Sequence, residues 1–489
     1  MRLYENALFI SMEAPGASYA GLLEDQGRIL QLYSSSDEIP SGLQAGRIDL
    51  AGACVYPGFV DTHTHAFDGG LYALCPDLGG CRSIAEVLAT LAAAKPVGGM
   101  LIGWNLDIHS LAEKRFPTLE ELDRVFPELP VLIRRVDGHS SAINSAAAAA
   151  IPWQGEVPLL ETPLLRGFNH AAVGWFHSSV DDEGILSAYT AASDLALAAG
   201  LTGLHAMIGD GKTDPRHYEL VASHLDRFEA DFTLYPQIRD IDTALRLGSP
   251  RVGGCILADG SIGSHTAALK EPYADRPGFS GELYETDDHW YTFFRAAHSA
   301  GLSACVHAIG DSAVGQIAAL LRRIYDEDPK PLRHQIIHCE MADDRTIALL
   351  AGTPAAAVMQ PAFDALWGGK GGLYEERLGT KRKQLCNRLE SMRKAGILVT
   401  GGSDWYITPL DPLLGIRAAA ALSVRHESLS EFDAVALYTR NAAELAGRGG
   451  EEGILKKGYR CNLSVLSAAA DDPACRVLGV VKDGAYISA

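Results

Sequence analysis

The chain has no run of eighteen apolar residues free of charge, so no membrane-spanning helix is expected. Its first residues, MRLYENALFISMEAPG, lack a basic segment followed by a long apolar run and a small-residue cleavage site, and no signal peptide is expected either. Cysteine is sparse: nine in 489 residues, an odd number that does not suggest a disulfide scaffold. The pair Cys75 and Cys81 has the wrong spacing for a zinc knuckle. Positive charge is also in deficit, with 42 Lys and Arg against 61 Asp and Glu and a net charge of −19. That balance argues against nucleic acid or an anionic membrane as partner, because phosphates would be repelled. A small-molecule substrate stays open, since it responds to the local field of a pocket. A reducing cytoplasm is the expected location, and a homodimer is the default assembly.

What is present is globular: 47% hydrophobic and 21% charged residues. The length suits one large barrel with additions, or two or three ordinary domains. From about residue 182 a rhythm sets in. Amphipathic stretches end at Gly200, Gly301, Gly352 and Gly396, and short apolar runs follow: LTGLHAM, LSACVHAIGD, PAAAVMQPAF and ILVTGGSDWY. Glycine just past a helix accepts the left-handed conformation that closes the last turn. Runs rich in Val, Ile, Leu and Ala are what strands buried on both faces require. Repeated helix, glycine and buried strand predict βα units around a parallel sheet.

Polar residues decide between an open sheet and a barrel. His63 and His65 follow VYPGFVD, His307 ends ACV, His338 ends QII and Asp404 ends ILVTGGS. Metal-type residues at the exits of widely separated strands predict a (β/α)8 TIM-type barrel, because an open sheet gathers its ligands at one crevice. The ends differ in character: residues 1–56 and 453–489 read as short strands and turns, too short to bury a core alone. They are expected to pair into one small β-sandwich domain. The barrel then spans 57–452, with an insertion within about 66–180 that passes over the barrel mouth.

The chemistry starts at PGFVDTHTH, residues 57–65. Two histidines at i and i+2 leaving a strand point to one side and can grip one metal. A catalytic zinc site uses His and carboxylate ligands and keeps one position for water, whose pKa it lowers to about 7. Read alone, the His-Thr-His pair is equally compatible with ordinary hydrogen-bonded histidines. Asp404 has an alternative role as the N-cap of the helix expected around TPLDPLLGI.

PGFVDTHTH, then VHAIGD, IIHCE and GGSDW in that order resemble the amidohydrolase superfamily. The resemblance is closer to the branch containing N-substituted formamide deformylases. GWNLD at 103–107, LDRVFPELPVLIRRVDGHSSAINSAA at 122–147, ADGSIGSHTAAL at 258–269 and DPLLGI at 411–416 extend it over nearly the whole chain. It implies a metal-dependent hydrolase acting on a C–N bond other than a peptide bond in a small molecule, with one or two divalent ions, zinc by expectation. Deamination of a ring amine, or hydrolysis of an ester or carbamate, would use the same site. A metal-free, non-catalytic relative is the remaining alternative, against which five intact ligand-type residues argue.

Carried onto this chain, the resemblance makes His63 and His65 ligands of the more buried metal. His307 and His338 serve a second metal, or orient water and substrate if only one ion binds. Asp404 binds metal and acts as general base. One position departs from the branch: a carboxylated lysine commonly bridges two metals where this chain has Cys255. D-aminoacylases elsewhere in the superfamily use a cysteine thiolate as bridge, and thiolate is a good zinc ligand. The alternative is a small buried core residue. His139 is expected to hydrogen-bond the substrate carbonyl, or else to fix its loop. Asp259, His265 and Trp405 are expected to line the substrate pocket. His205 is expected to have a packing or supporting role.

Overall fold

A computed structural model describes residues 1–136, 140–153, 163–209 and 215–489. The chain divides into two compact units, one of Met1–His65 with Ser193–Ala489 and one of Ala66–Ala192.

The larger unit contains eight parallel strands: β1 (Phe59–Thr64), β2 (Leu201–Ile208), β3 (Asp231–Pro236), β4 (Arg251–Leu257), β5 (Ser303–Ala308), β6 (Gln335–His338), β7 (Ala356–Met359) and β8 (Leu398–Gly401). Gly200, Gly301, Gly352 and Gly396, each at positive φ, separate the preceding helices from β2, β5, β7 and β8. The glycine-punctuated rhythm therefore has the expected physical basis.

The strands form a TIM-barrel-like α/β arrangement in two hydrogen-bonded sheets, β3-β2-β1 and β4-β5-β6-β7-β8. The closed barrel expected from the sequence differs here, because the ladder is interrupted at both seams. Beside β1, Thr62 Oγ1 donates to the Gly401 carbonyl at 2.9 Å, and His65 N–H donates to the Trp405 carbonyl at 2.6 Å. Beside β3, Cys255 N–H donates to Gln237 Oε1 at 3.1 Å. Gly254 lies at the second interruption: it sits at positive φ, and a Cβ there would lie 2.8 Å from Gln237 Cγ and 3.5 Å from the Tyr235 carbonyl oxygen. Only glycine permits that approach, and the kink re-aims the next residue, Cys255.

The two chain ends do come together. Strands Arg2–Ile10, Ser18–Asp25, Arg28–Tyr33 and Gly46–Pro57 join Leu463–Leu466, Val477–Lys482 and Ala485–Ser488 in one seven-stranded sheet. A two-sheet sandwich was expected; the hydrogen bonding instead runs through a single sheet. Its core contains Tyr4, Phe9, Leu22, Val55, Leu463 and Val481. Lys482 and Arg460 both pair with Asp231 of β3, at 3.2 and 2.9 Å.

The unit Ala66–Ala192 has its own four-stranded sheet, Leu101–Leu106, Val131–Arg135, Ser140–Ile143 and Leu164–Leu165. Its core is built on Leu78, Val87, Leu91, Leu106, Leu122 and Ile133. Among the described residues no helix is long and apolar enough to cross a membrane.

A buried histidine chain makes the larger unit acid-sensitive. Ala304 N–H donates to His334 Nδ1 at 3.0 Å, so His334 carries its proton on Nε2 and donates to His298 Nδ1 at 2.9 Å. His298 Nε2–H in turn donates to the Asp328 carbonyl at 2.7 Å. Burial, with His298 beside it, pushes His334 down to about 3. The unfolded histidine titrates near 6.5, so above that pH both states are neutral and no penalty exists. Below it the unfolded chain binds the proton first, and stability falls by up to about 1.4 kcal/mol per pH unit until the folded group titrates. Between pH 6.5 and 5 this one group is expected to remove about 2 kcal/mol. Thermal unfolding at several pH values should show a flatter dependence in His334→Asn, which keeps an acceptor for Ala304 but does not titrate. Equal slopes in the two proteins would contradict this account.

Candidate metal centre

β1 is buried along its whole length, and its alternation sends His63 and His65 to the same side. His63 is fully buried, while the His65 side chain is 23% exposed. Asp404, just past β8, is held by its N–H to the His63 carbonyl at 2.9 Å. Its Oδ1 lies 3.1 Å from His63 Nε2 and 3.2 Å from His65 Nε2. Burial opposes its charge, yet the His63 and His65 imidazoles keep its carboxyl far below the usual carboxylate range. The capping role considered for Asp404 belongs to Asp411, whose side chain accepts from Leu414 N–H at 3.1 Å at the start of helix Pro412–Ala420.

The other wall comes from β4, β5 and β6. His307 Nε2–H donates to the Gly260 carbonyl at 3.1 Å. That leaves Nδ1 with its lone pair toward Cys255 Sγ, 3.9 Å away. His338 has the opposite tautomer: Nδ1–H donates to Gln360 Oε1 at 2.6 Å, and Nε2 faces Cys255 Sγ at 4.0 Å. Gln360 is itself fixed, since its Nε2 donates to the Val358 carbonyl at 3.3 Å and so turns its oxygen to His338. A carbonyl behind each imidazole is how metal-binding histidines are oriented. Burial would raise the Cys255 thiol, but His63, with His307 and His338, pulls it well below the usual range. Burial likewise opposes protonation of His63, and Cys255 and Asp404 lift it to about 9. His338 and Asp404 hold φ of 70° and 58°. Such left-handed backbone is costly for residues other than glycine, and it clusters at functional sites.

The residues present fit a cation. His63 Nδ1 and Nε2 and Asp404 Oδ1 are buried without a hydrogen-bond partner, a state that is costly unless something else satisfies them. His63, His65 and Asp404 offer three donor atoms within 4.8 Å of one another, as do His63, Cys255 and His338. The two triads share His63. Cys255 also touches the apolar core of Met207, Tyr235, Cys305 and Ile337, so it borders both environments considered for it.

The remaining expected site residues among the described ones have partners of their own. Asp259 is fully buried, and its carboxylate accepts from Ala268, Ile309 and Gly310 N–H at 2.8, 3.0 and 2.8 Å. It pins the 258–269 loop to the exit of β5, and burial raises it to about 6. His265 Nε2 lies 2.9 Å from Asp275. Trp405 is half-buried and locks His65 through its carbonyl. His205 is buried and paired with the Tyr235 hydroxyl at 2.9 Å. His139 lies outside the described residues.

Two supporting residues escaped the sequence reading. Asp61 accepts from His63 N–H and Ser403 N–H, both at 3.0 Å, and ties β1 to the turn that carries Asp404. A carboxylate directly after the apolar Phe59-Val60 and two residues before His63 was the available signal for it. Gln360 had none.

Parallel strands with nitrogen, oxygen and sulfur donors converging at their exits define a TIM-barrel-like protein with a metal-type centre. The amidohydrolase family model matches residues 47–487, and the chain belongs to that family of hydrolytic enzymes. It is 32% identical to the YtcJ protein of Bacillus subtilis (strain 168), over 87% of each chain. It is 23% identical to the N-substituted formamide deformylase of Arthrobacter pascens, over 94% of this chain and 92% of that one. A solved structure of an uncharacterized metal-dependent hydrolase from Pyrococcus furiosus superposes with a TM-score of 0.82 at 22% identity. That match covers 96% of this chain and all of that one, and it supports the fold.

Proposed function

We propose that the protein is a zinc-dependent hydrolase that cleaves a C–N amide-type bond of a small molecule. The observation that carries this reading is the convergence of one donor atom each from His63, His65 and Asp404 within 4.8 Å of one another, at a buried place where neither His63 nitrogen nor Asp404 Oδ1 has a well-formed hydrogen bond. His63, His65 and Asp404 would hold one ion; Cys255, His338 and His307, with His63 shared, would hold a second. Imidazole, carboxylate and thiolate together suit zinc better than magnesium or calcium. A bound divalent ion supplies Lewis acidity and brings the pKa of a water to about 7.

The residues divide the remaining work. Asp404 accepts the water's proton and returns it to the departing amine nitrogen. Gly260 and Gln360 keep His307 and His338 with one lone pair each turned inward. Asp61 keeps the backbones of His63 and Asp404 in register. The deformylase relative supports the C–N assignment. In this reading residues 57–452 form the catalytic body, and the chain ends form an accessory sheet.

Elemental analysis of the purified protein is expected to find at least one zinc per chain. The double substitution His63→Ala, His65→Ala should remove metal and activity together. Activity is read as amine or ammonia release from a panel of N-acyl amino acids, formamides, cyclic ureas and aminopurines. Full metal content in the double variant would sink the ligand assignment.

A further inference from the structure

We infer that the rim of the metal centre receives an apolar substituent of the substrate, an aryl or branched alkyl group next to the scissile bond. This inference rests on the hydrolase reading above and narrows its substrate class. Leu257 ends β4, two residues beyond Cys255, so its side chain lies on the same face as the thiol and nearer the strand exit. The ladder confirms the face: Leu257 is the register partner of His307. Yet Leu257 is 44% exposed. Two residues of strand rise about 6.6 Å, which places a solvent-facing leucine one layer above the donors.

The same association recurs around the centre. Ile407, 49% exposed, follows Asp404 in a turn closed by its N–H to the Asp404 carbonyl at 2.7 Å. The Tyr406 ring meets His65 edge-on at 6.4 Å. Phe363 lies nearly parallel to the His338 ring at 6.0 Å, and half-buried Trp367 packs on Phe363 at 4.7 Å. Tyr284, 42% exposed, is tied by its N–H to the Ala258 carbonyl, next to Leu257.

Single exposed apolar residues are ordinary, but apolar side chains gathered around convergent polar groups mark a ligand site. Here β4 and the segments that follow β7 and β8 bring apolar side chains to the strand end where the candidate ligands lie. In the adjoining loop, His265 and Arg377 both pair with Asp275, so that carboxylate is already engaged. The arrangement favours a substituent that gains from leaving water over one that carries charge.

The test compares acetohydroxamate with phenylacetohydroxamate, two probes with the same metal-directed head, by calorimetric titration of the zinc-loaded enzyme. The apolar probe should bind at least about tenfold tighter, which loss of part of a buried side chain's transfer energy would erase. Leu257→Ser with Ile407→Ser should abolish that preference while zinc content and the affinity for acetohydroxamate stay as in the unsubstituted protein. Equal affinities in the unsubstituted protein, or a preference that survives both substitutions, overturn the inference and leave the hydrolase reading standing. Failure of both probes to bind zinc-loaded protein overturns the reading and the inference together. Matched amides then give a second readout: kcat/KM should favour N-acetylbenzylamine over N-acetylethanolamine, and the double variant should narrow that ratio.

Discussion

Asp404→Asn should leave the protein folded and slow turnover by about 10²–10⁴-fold, the usual worth of a positioned acid–base group. The substitution is nearly isosteric, and the backbone that holds it is independent of the carboxylate charge. Asp404 N–H bonds the His63 carbonyl, its own carbonyl accepts from Ile407, and helix Pro412–Ala420 is capped by Asp411. The melting temperature should therefore change little. What asparagine lacks is a site for the proton: its amide neither accepts one at neutral pH nor hands one to a leaving amine. It also replaces an anionic oxygen 3.1–3.2 Å from two imidazoles with a neutral one, which weakens any cation bound between them. Measuring zinc content beside kcat separates the two losses. Full zinc with depressed kcat isolates the proton-transfer role, and lost zinc shows that the carboxylate is first a ligand. Near-normal turnover at an unchanged melting temperature would remove Asp404 from the reaction.

The parts legible in the sequence were those governed by local periodicity. His63 and His65 share a side because strands alternate, and Asp404 and His338 were placed by the apolar runs that precede them. Glycines at 200, 301, 352 and 396 marked the helix-to-strand turns for the reason that φ is positive there. Long-range closure was not legible. The seam between β3 and β4 turns on the close approach of Gly254 to Tyr235 and Gln237, a contact between segments far apart in the chain. The chain ends read as strands, but their sequence did not say whether seven strands share one sheet or split into two. The partners of Asp259 were not legible either: a carboxylate at a strand end does not announce that three backbone N–H groups claim it. Gln360 is the converse case, a neutral side chain whose importance lies wholly in the histidine it faces.

Cys255→Ser should cost at least one equivalent of zinc while His63, His65 and Asp404 retain the other. The sulfur lies 3.9 Å from His307 Nδ1 and 4.0 Å from His338 Nε2. A thiolate and an imidazole on one tetrahedral zinc, with bonds of about 2.3 and 2.05 Å, stand about 3.6 Å apart. A contraction of a few tenths of an ångström therefore converts the observed arrangement into a liganding one. Both imidazoles are already turned the right way by Gly260 and Gln360, so no tautomer has to change. Serine keeps the shape but presents a neutral hydroxyl, a far weaker zinc donor than thiolate. Because sulfur needs no carbon dioxide to become a ligand, activity should be indifferent to added bicarbonate and sensitive to mercurials or oxidants that reach the thiolate. The core reading makes a different prediction: serine would lower the melting temperature by exchanging sulfur for a polar group against Met207, Tyr235 and Ile337, and zinc would be untouched. Zinc counted per chain, before and after the substitution, decides between them. Unchanged stoichiometry with a lowered melting temperature would assign Cys255 to the core and leave the His63–His65–Asp404 site as the only candidate among the described residues.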